Sequence, residues 1–253
     1  MSDIQLVHGD CLEVMKDFDD GQFDAVVTDP PYGHNNNSGE DLISVWERAL
    51  GTGNYVAERD DRPIENDGPE ANELFQAVLP EINRILVPGG CYCCCGGGGG
   101  PDPQFARWSL WMDEVLNFKQ MVIWDKGPMG MGWHYRRSYE TVLVANKNGA
   151  KCKWHDGTKR VENIIRPGAY GIKKIIPNKD QHPTQKPVNL MAHFIQLHTE
   201  PGDTVLDPFM GSGTTGVACV KTGRNFVGID IDKNYYDIAC RKVAEAQAQP
   251  RLL

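Results

Sequence analysis

The sequence predicts an α/β fold built on a mostly parallel sheet of seven strands, with helices on both faces. Short apolar runs bounded by turn residues alternate with stretches of helical periodicity, the pattern of parallel βα units. Near the C-terminus one run also enters a glycine-rich turn and then a helix, the arrangement by which a nucleotide-binding strand meets its ligand. In order, strands are expected at 4–8, 23–28, 91–95, 120–124, 141–145, 204–206 and 225–229. Helices fit between them at about 70–86, 105–116, 188–198, 214–222 and 234–246. Pro88-Gly89-Gly90 is expected to stop the first of these helices, and Pro201-Gly202-Asp203 to lead tightly into a strand. Cys91, Cys93 and Cys95 alternate with Tyr92 and Cys94, which suits a strand buried on both faces. The run 96–100 that follows reads as a flexible turn.

Hydrophobic residues are 40% and charged residues 24% of the 253, a composition that excludes collagen-like, disordered and membrane classes. No apolar run approaches the roughly 18 residues of a membrane span, and the N-terminus lacks the basic and apolar regions of a signal peptide, so a cytoplasmic protein is expected. The length suits one domain with an elaboration. Eight cysteines, four of them crowded at Cys91, Cys93, Cys94 and Cys95, read as reduced thiols, and no metal site is expected.

Two segments break the alternation. Residues 33–69 form a polar stretch rich in Gly, Asn and Asp, of the kind that is often functional. Residues 146–181 have little periodicity and carry nine basic residues against three acidic ones. The formal net charge of −8 therefore resolves into a segment of +6 and a remainder of −14. The average charge argues against a nucleic-acid partner, whereas the local field does not.

In the run from Val205 to Ala218, Gly211, Gly213 and Gly216 satisfy G-x-G-x-x-G between a strand and a helix, and the next strand ends at Asp230, the place of a ribose-binding acid. Only 23 residues follow Asp230, so the rest of the sheet must come from earlier in the chain. The order is permuted, with the cofactor unit last. At the other end, Asp29-Pro30-Pro31-Tyr32 closes the 23–28 strand, where ligands bind in α/β sheets. The two prolines fix the backbone, so the Asp29 carboxylate and the Pro30 carbonyl can both accept from an exocyclic amino group while Tyr32 stacks on its ring.

These motifs, in the order Asp29-Pro30-Pro31-Tyr32, Trp124-Asp125-Lys126-Gly127, Arg136-Arg137-Ser138-Tyr139-Glu140, His182-Pro183-Thr184-Gln185-Lys186-Pro187 and Asp207-Pro208-Phe209-Met210-Gly211-Ser212-Gly213-Thr214-Thr215, resemble the β-group of amino DNA methyltransferases. The resemblance implies a permuted Rossmann-like methyltransferase fold, S-adenosylmethionine as cofactor and double-stranded DNA as partner. It divides the single catalytic domain into a catalytic-motif half (1–145), a target-recognition insertion (146–181) and a cofactor-binding half (182–253). It also implies transfer to the N6 of a flipped adenine, since the motif opens with Asp rather than Ser, with cytosine N4 as the alternative. Asp29, Pro30, Pro31 and Tyr32 would hold the base. Asp10 and Cys11 would lie beside the cofactor adenine, Asp207, Phe209, Gly211, Ser212, Gly213, Thr214 and Thr215 would form its turn, and Asp230 would bind the ribose. Thr184, Gln185 and Lys186 would close over the methionine end, with Lys186 meeting its carboxylate, and Asp29 would face both ligands. Arg136, Arg137, Lys151, Lys153, Lys159, Arg160, Lys173 and Lys174 would form the phosphate footprint. A homodimer and a cognate restriction endonuclease are further partners that the resemblance raises. The chemistry requires no covalent nucleophile, unlike methylation at cytosine C5, because an amine can attack a sulfonium methyl directly.

Overall fold

The computed structural model describes residues 2–33, 67–68, 70–96, 104–127, 138–172 and 185–249. In chain order the elements are β1 (Ile4–His8), α1 (Cys11–Met15), β2 (Phe23–Thr28), α2 (Ala71–Ile85), β3 (Leu86–Gly96), α3 (Gln104–Val115), β4 (Asn117–Asp125), β5 (Tyr139–Asn146), β6 (Ile164–Ile165), α4 (Val188–His198), β7 (Thr204–Asp207), α5 (Thr214–Thr222), β8 (Asn225–Asp230) and α6 (Lys233–Ala248). The strands form one sheet of eight in the order β1-β8-β7-β2-β3-β5-β4-β6. Among the described strands, only β5 runs antiparallel to both its neighbours.

Alternation along the strands separates two cores. Val26, Tyr92 and Cys94 face one side, with Phe75, Leu79, Ile82, Trp108 and Met112 from α2 and α3. Ala25, Val27, Cys91, Cys93 and Cys95 face the other, with Leu190, Phe194, Ala218 and Ala239 from α4, α5 and α6. The cysteine strand is therefore buried on both faces, as its alternation predicts.

The permutation is visible in the sheet order. β7 lies beside β2 at its centre; from β7 the chain moves through α5 to β8 on one side, and from β2 through α2 to β3 on the other. Such a reversal opens a crevice at the carboxyl ends of the two strands. Across it, Thr28 Oγ1 donates to Asp207 Oδ1 at 2.6 Å.

Three expectations need correction. The sheet has eight strands rather than seven, because Ile164–Ile165 of the charged segment pairs with Ile123 and Trp124. Helix α1 has no periodic pattern to announce it; it exists because Asp10 caps it, accepting from the Leu12 amide at 2.8 Å. Strand β3 starts at Leu86, immediately after α2, so Pro88-Gly89-Gly90 lies within the strand, at the irregularity of its pairing with β2 between Leu86 and Cys91, rather than separating helix from strand. Gly89 makes this feasible: it sits at φ +79°, and a Cβ there would approach the Lys151 carbonyl oxygen to 2.7 Å. The run 96–100, apart from Gly96, and the polar stretch 33–69, apart from Gly33, Asp67 and Gly68, lie outside the described residues. None of the described helices is long and apolar enough to cross a membrane.

Candidate active site

One pocket opens at the carboxyl ends of β2 and β7. Asp29, Pro30, Pro31 and Tyr32 line it from β2, and Asp207, Phe209, Gly211, Ser212, Thr214 and Thr215 from β7 and its turn. Asp10 and Cys11 enter from the end of β1, Asp230 from β8, and Gln185 and Lys186 from the lead-in to α4. Gly213 is the exception among the described site residues. It sits at φ +83°, and a Cβ there would meet Ala239 Cβ at 2.9 Å; one at Gly216 would meet Phe226 Cε1 at 2.8 Å. These two glycines allow α5 to pack closely on α6 and β8 rather than admitting a ligand. Thr184 lies outside the described residues.

Asp230 is pinned by two backbone amides. Its Oδ2 accepts from the Gly211 amide at 2.7 Å and its Oδ1 from the Asp232 amide at 2.8 Å, which fixes the carboxylate at the pocket edge. Burial raises its pKa to about 7 against these two donors. Burial likewise raises Asp207 to about 6, although hydrogen bonds from hydroxyls and the Phe209 amide oppose it. The Cys11 thiol is pushed up to about 12 by burial and by Asp10 beside it, so it is no nucleophile.

Around Asp29 the structure adds contacts to those the motif announces. Its Oδ2 accepts from Lys186 Nζ at 2.6 Å and its Oδ1 from the Tyr32 hydroxyl. Lys186 thus meets the acid of the Asp29-Pro30-Pro31-Tyr32 motif, a contact that the motif itself does not announce. It is buried at 5% exposure and also lies 3.4 Å from Glu140 Oε2, while Glu140 Oε1 accepts from Lys126 Nζ at 2.5 Å. Lys126, Glu140, Lys186 and Asp29 form a chain of alternating charge. Burial opposes the Lys186 ammonium, but Asp29 and Glu140 overrule it and raise its pKa. Burial opposes the Glu140 carboxylate too, yet Lys186 and Lys126 hold it below its usual value. Burial lifts the Asp29 carboxyl above its usual range against the pull of Lys186. Tyr32 is buried, with its ring 5.1 Å from Lys186 Nζ and 6.2 Å from the Trp108 ring.

The turn after Asp29 is held by residues the sequence does not mark. Asp67 Oδ1 accepts from the Tyr32 and Gly33 amides, each at 2.8 Å, and Gln104 Nε2 donates to the Tyr32 carbonyl. Asp67 is 35 residues from Tyr32 and Gln104 is 72; Asp67 falls in the polar stretch 33–69, but no motif singles out either residue. Glu140 does have a signal, since it stands in one of the quoted motifs, but its role depends on a contact made only in the fold.

The expected phosphate footprint divides. Lys153 Nζ pairs with Asp24 at 3.0 Å and Asp203 at 2.7 Å, both at the amino ends of parallel strands and so opposite the pocket. Lys151 packs its backbone against Gly89 at the same end. Lys159 and Arg160 are exposed further along, before β6. Arg136, Arg137, Lys173 and Lys174 lie outside the described residues.

Residues 23–241 match the family described as DNA methylase. The chain belongs to this family. The methylase is 29% identical over 263 residues to the Type II methyltransferase M2.DpnII of Streptococcus pneumoniae, covering 96% of this chain and 90% of that protein. It is 27% identical over 266 residues to the DNA adenine methyltransferase YhdJ of Escherichia coli K12, covering 94% and 82%. Among solved structures, the M1.HpyAVI–SAM complex superposes with a TM-score of 0.64 at 27% identity, over 95% of this chain and 99% of that one. The cytosine-N4-specific PvuII DNA methyltransferase superposes with a TM-score of 0.70 over 100% and 89%, but at 19% identity the likeness is one of fold.

Proposed function

We propose that this methylase transfers a methyl group from S-adenosylmethionine to the N6 amino group of adenine in double-stranded DNA, by direct attack on a base flipped out of the duplex. The observation that carries the reading is the convergence of Asp29-Pro30-Pro31-Tyr32 and the Gly211 turn on one pocket at the β2/β7 crevice. The cofactor fits the residues present: the pinned Asp230 carboxylate suits a diol, and the turn from Phe209 to Thr215 brings backbone close to the same end. When bound, S-adenosylmethionine supplies an electrophilic methyl.

Asp29 accepts the amino hydrogens, which localises the nitrogen lone pair and stabilises the positive charge that grows on it. Lys186 and Tyr32 keep its carboxylate in place before the base arrives. The Pro30-Pro31 backbone holds this acceptor rigid, so the rate derives from positioning and electrostatics. Base extrusion costs a few kcal/mol, which pocket contacts and phosphate contacts offset. An aspartate opening the motif supports adenine as the target, as does the name of the relative YhdJ.

The test is base analysis of DNA after incubation with methyl-tritiated S-adenosylmethionine. Labelled N6-methyladenine is expected. N4-methylcytosine as the sole product would overturn the choice of base, and label absent from DNA would overturn the substrate.

A further inference from the structure

Apart from the pocket, a second group of chemically capable side chains meets on the face of the sheet covered by α4. Cys91 Sγ, Cys152 Sγ and His198 Nδ1 all lie within 4.8 Å of one another. Cys93 Sγ is 3.4 Å from Cys91 Sγ, and Cys152 Sγ is 3.8 Å from His198 Nδ1. Cys91 and Cys93 point to the same side of β3, His198 is the last residue of α4, and Cys152 belongs to the segment after β5, so three separate stretches converge. Cys91, Cys93 and His198 are at most 5% exposed, whereas Cys152 is half-buried and leaves a route from solvent.

We infer that Cys91, Cys93, Cys152 and His198 form a tetrahedral site for one zinc ion. Three sulfurs and one imidazole nitrogen are a structural zinc set. Metal–sulfur bonds of about 2.3 Å place sulfurs about 3.8 Å apart, near the 3.4 Å between Cys91 and Cys93. Cys93 does not lie within 4.8 Å of all three other ligand atoms, so it completes the set by a side-chain adjustment when the ion binds. Binding releases the thiol protons to solvent and changes no oxidation state. Lys119 lines the adjacent cavity and offsets the excess negative charge of three thiolates. His198 Nδ1 also lies 3.3 Å from the Lys153 carbonyl oxygen, a long contact that gives way to the metal. The ion ties the segment around Cys152 to β3 and to the end of α4. It lies outside the catalytic pocket, so its presence is read without any assay of methyl transfer. The sequence does not announce the set as a motif because Cys91 and His198 are 107 residues apart.

The full chain, purified under reducing conditions and stripped with chelator, is titrated with Co2+. The expected result is saturation at one equivalent, with the thiolate-to-cobalt charge-transfer band and the strong visible bands of a tetrahedral site. Zinc then displaces the cobalt and raises the Tm. Cys152→Ser and His198→Ala lose the tetrahedral spectrum, whereas Cys240→Ser on α6 keeps it. Because Cys152 is half-exposed, its serine variant folds, which circular dichroism checks. A wild type without the charge-transfer band, or a Cys152→Ser variant with an unchanged spectrum, would reduce the cluster to packed thiols.

Discussion

Glu140 does not line the pocket, yet it sits behind the lysine that holds Asp29. A neutral residue there leaves Lys186 with one carboxylate instead of two and lets it bind Asp29 more tightly, so the acid is less free to accept from the base. Glu140→Gln is expected to lower kcat by roughly ten- to a hundredfold, about 1.4–2.8 kcal/mol of barrier, with S-adenosylmethionine affinity changed less than threefold. Single-turnover kinetics beside direct binding separate the two; equal losses in both would show that Glu140 supports the pocket as a whole. Paired with Lys186→Met, the loss should be less than additive, because both residues act through Asp29. Asp29→Ala itself should abolish transfer while cofactor binding persists. Asp230 gives a pH signature. On the proposed function Asp230 accepts from the ribose hydroxyls, and it does so more strongly when ionised; its pKa is about 7, so cofactor affinity should weaken as pH falls below that value, by at most about tenfold per unit. The stability of the cofactor-free protein runs the other way. An acid whose folded pKa exceeds its unfolded one stabilises the fold when protonated, so stability declines as pH rises from the ordinary carboxylate range to about 7. Titration calorimetry across that range checks the affinity, and a flat profile in the wild type, matching Asp230→Asn, would remove Asp230 from the ribose site.

Among the elements, α4 and α5 begin and end where the sequence places them, at 188–198 and 214–222. Each has an unambiguous boundary: Pro187 before α4, and Gly213 and Gly223 in left-handed conformation around α5. The start of β3 was not legible, because a proline followed by two glycines normally marks a break; here they fall in the irregularity of the β2–β3 ladder between Leu86 and Cys91, where Gly89 donates to the Lys147 carbonyl and Gly90 accepts from the Lys147 amide. The glycine motif was legible as a turn, but its division of labour was not. Gly213→Ala forces a left-handed alanine against Ala239 and is expected to destabilise by roughly 2–4 kcal/mol. For a chain of this size that lowers Tm by about 5–10 °C. Thermal unfolding of the variant checks it, and an unchanged Tm would mean that α5 is free to shift away from α6.

Across the whole molecule, the charge pattern must be read with the sheet direction. The +6 segment starts at the amino ends of the parallel strands, where Lys153 bridges Asp24 and Asp203, and only later reaches β6 beside the carboxyl end of β4. Lys153→Ala should therefore leave the salt dependence of DNA binding unchanged and cost at most about 1 kcal/mol of stability, since the pair is partly exposed. Removing Lys159 and Arg160 together should flatten the slope of log K against log salt by about 0.9 for each phosphate that they neutralise. Binding isotherms at several salt concentrations decide this, and a flattened slope in Lys153→Ala would return that residue to the DNA face.

By itself the sequence determined the α/β class, the permuted order of its units, the two motifs that meet in the pocket, and the family they resemble. All of these depend on local periodicity, turn chemistry and motif order, which neighbouring residues carry. Only the tertiary structure decided that Lys186 binds Asp29, that Glu140 stands behind it, that Asp67 and Gln104 brace the turn, and that three cysteines meet a histidine on the other face. Those contacts join residues dozens to more than a hundred positions apart, and a sheet with a reversed strand order is what brings them together.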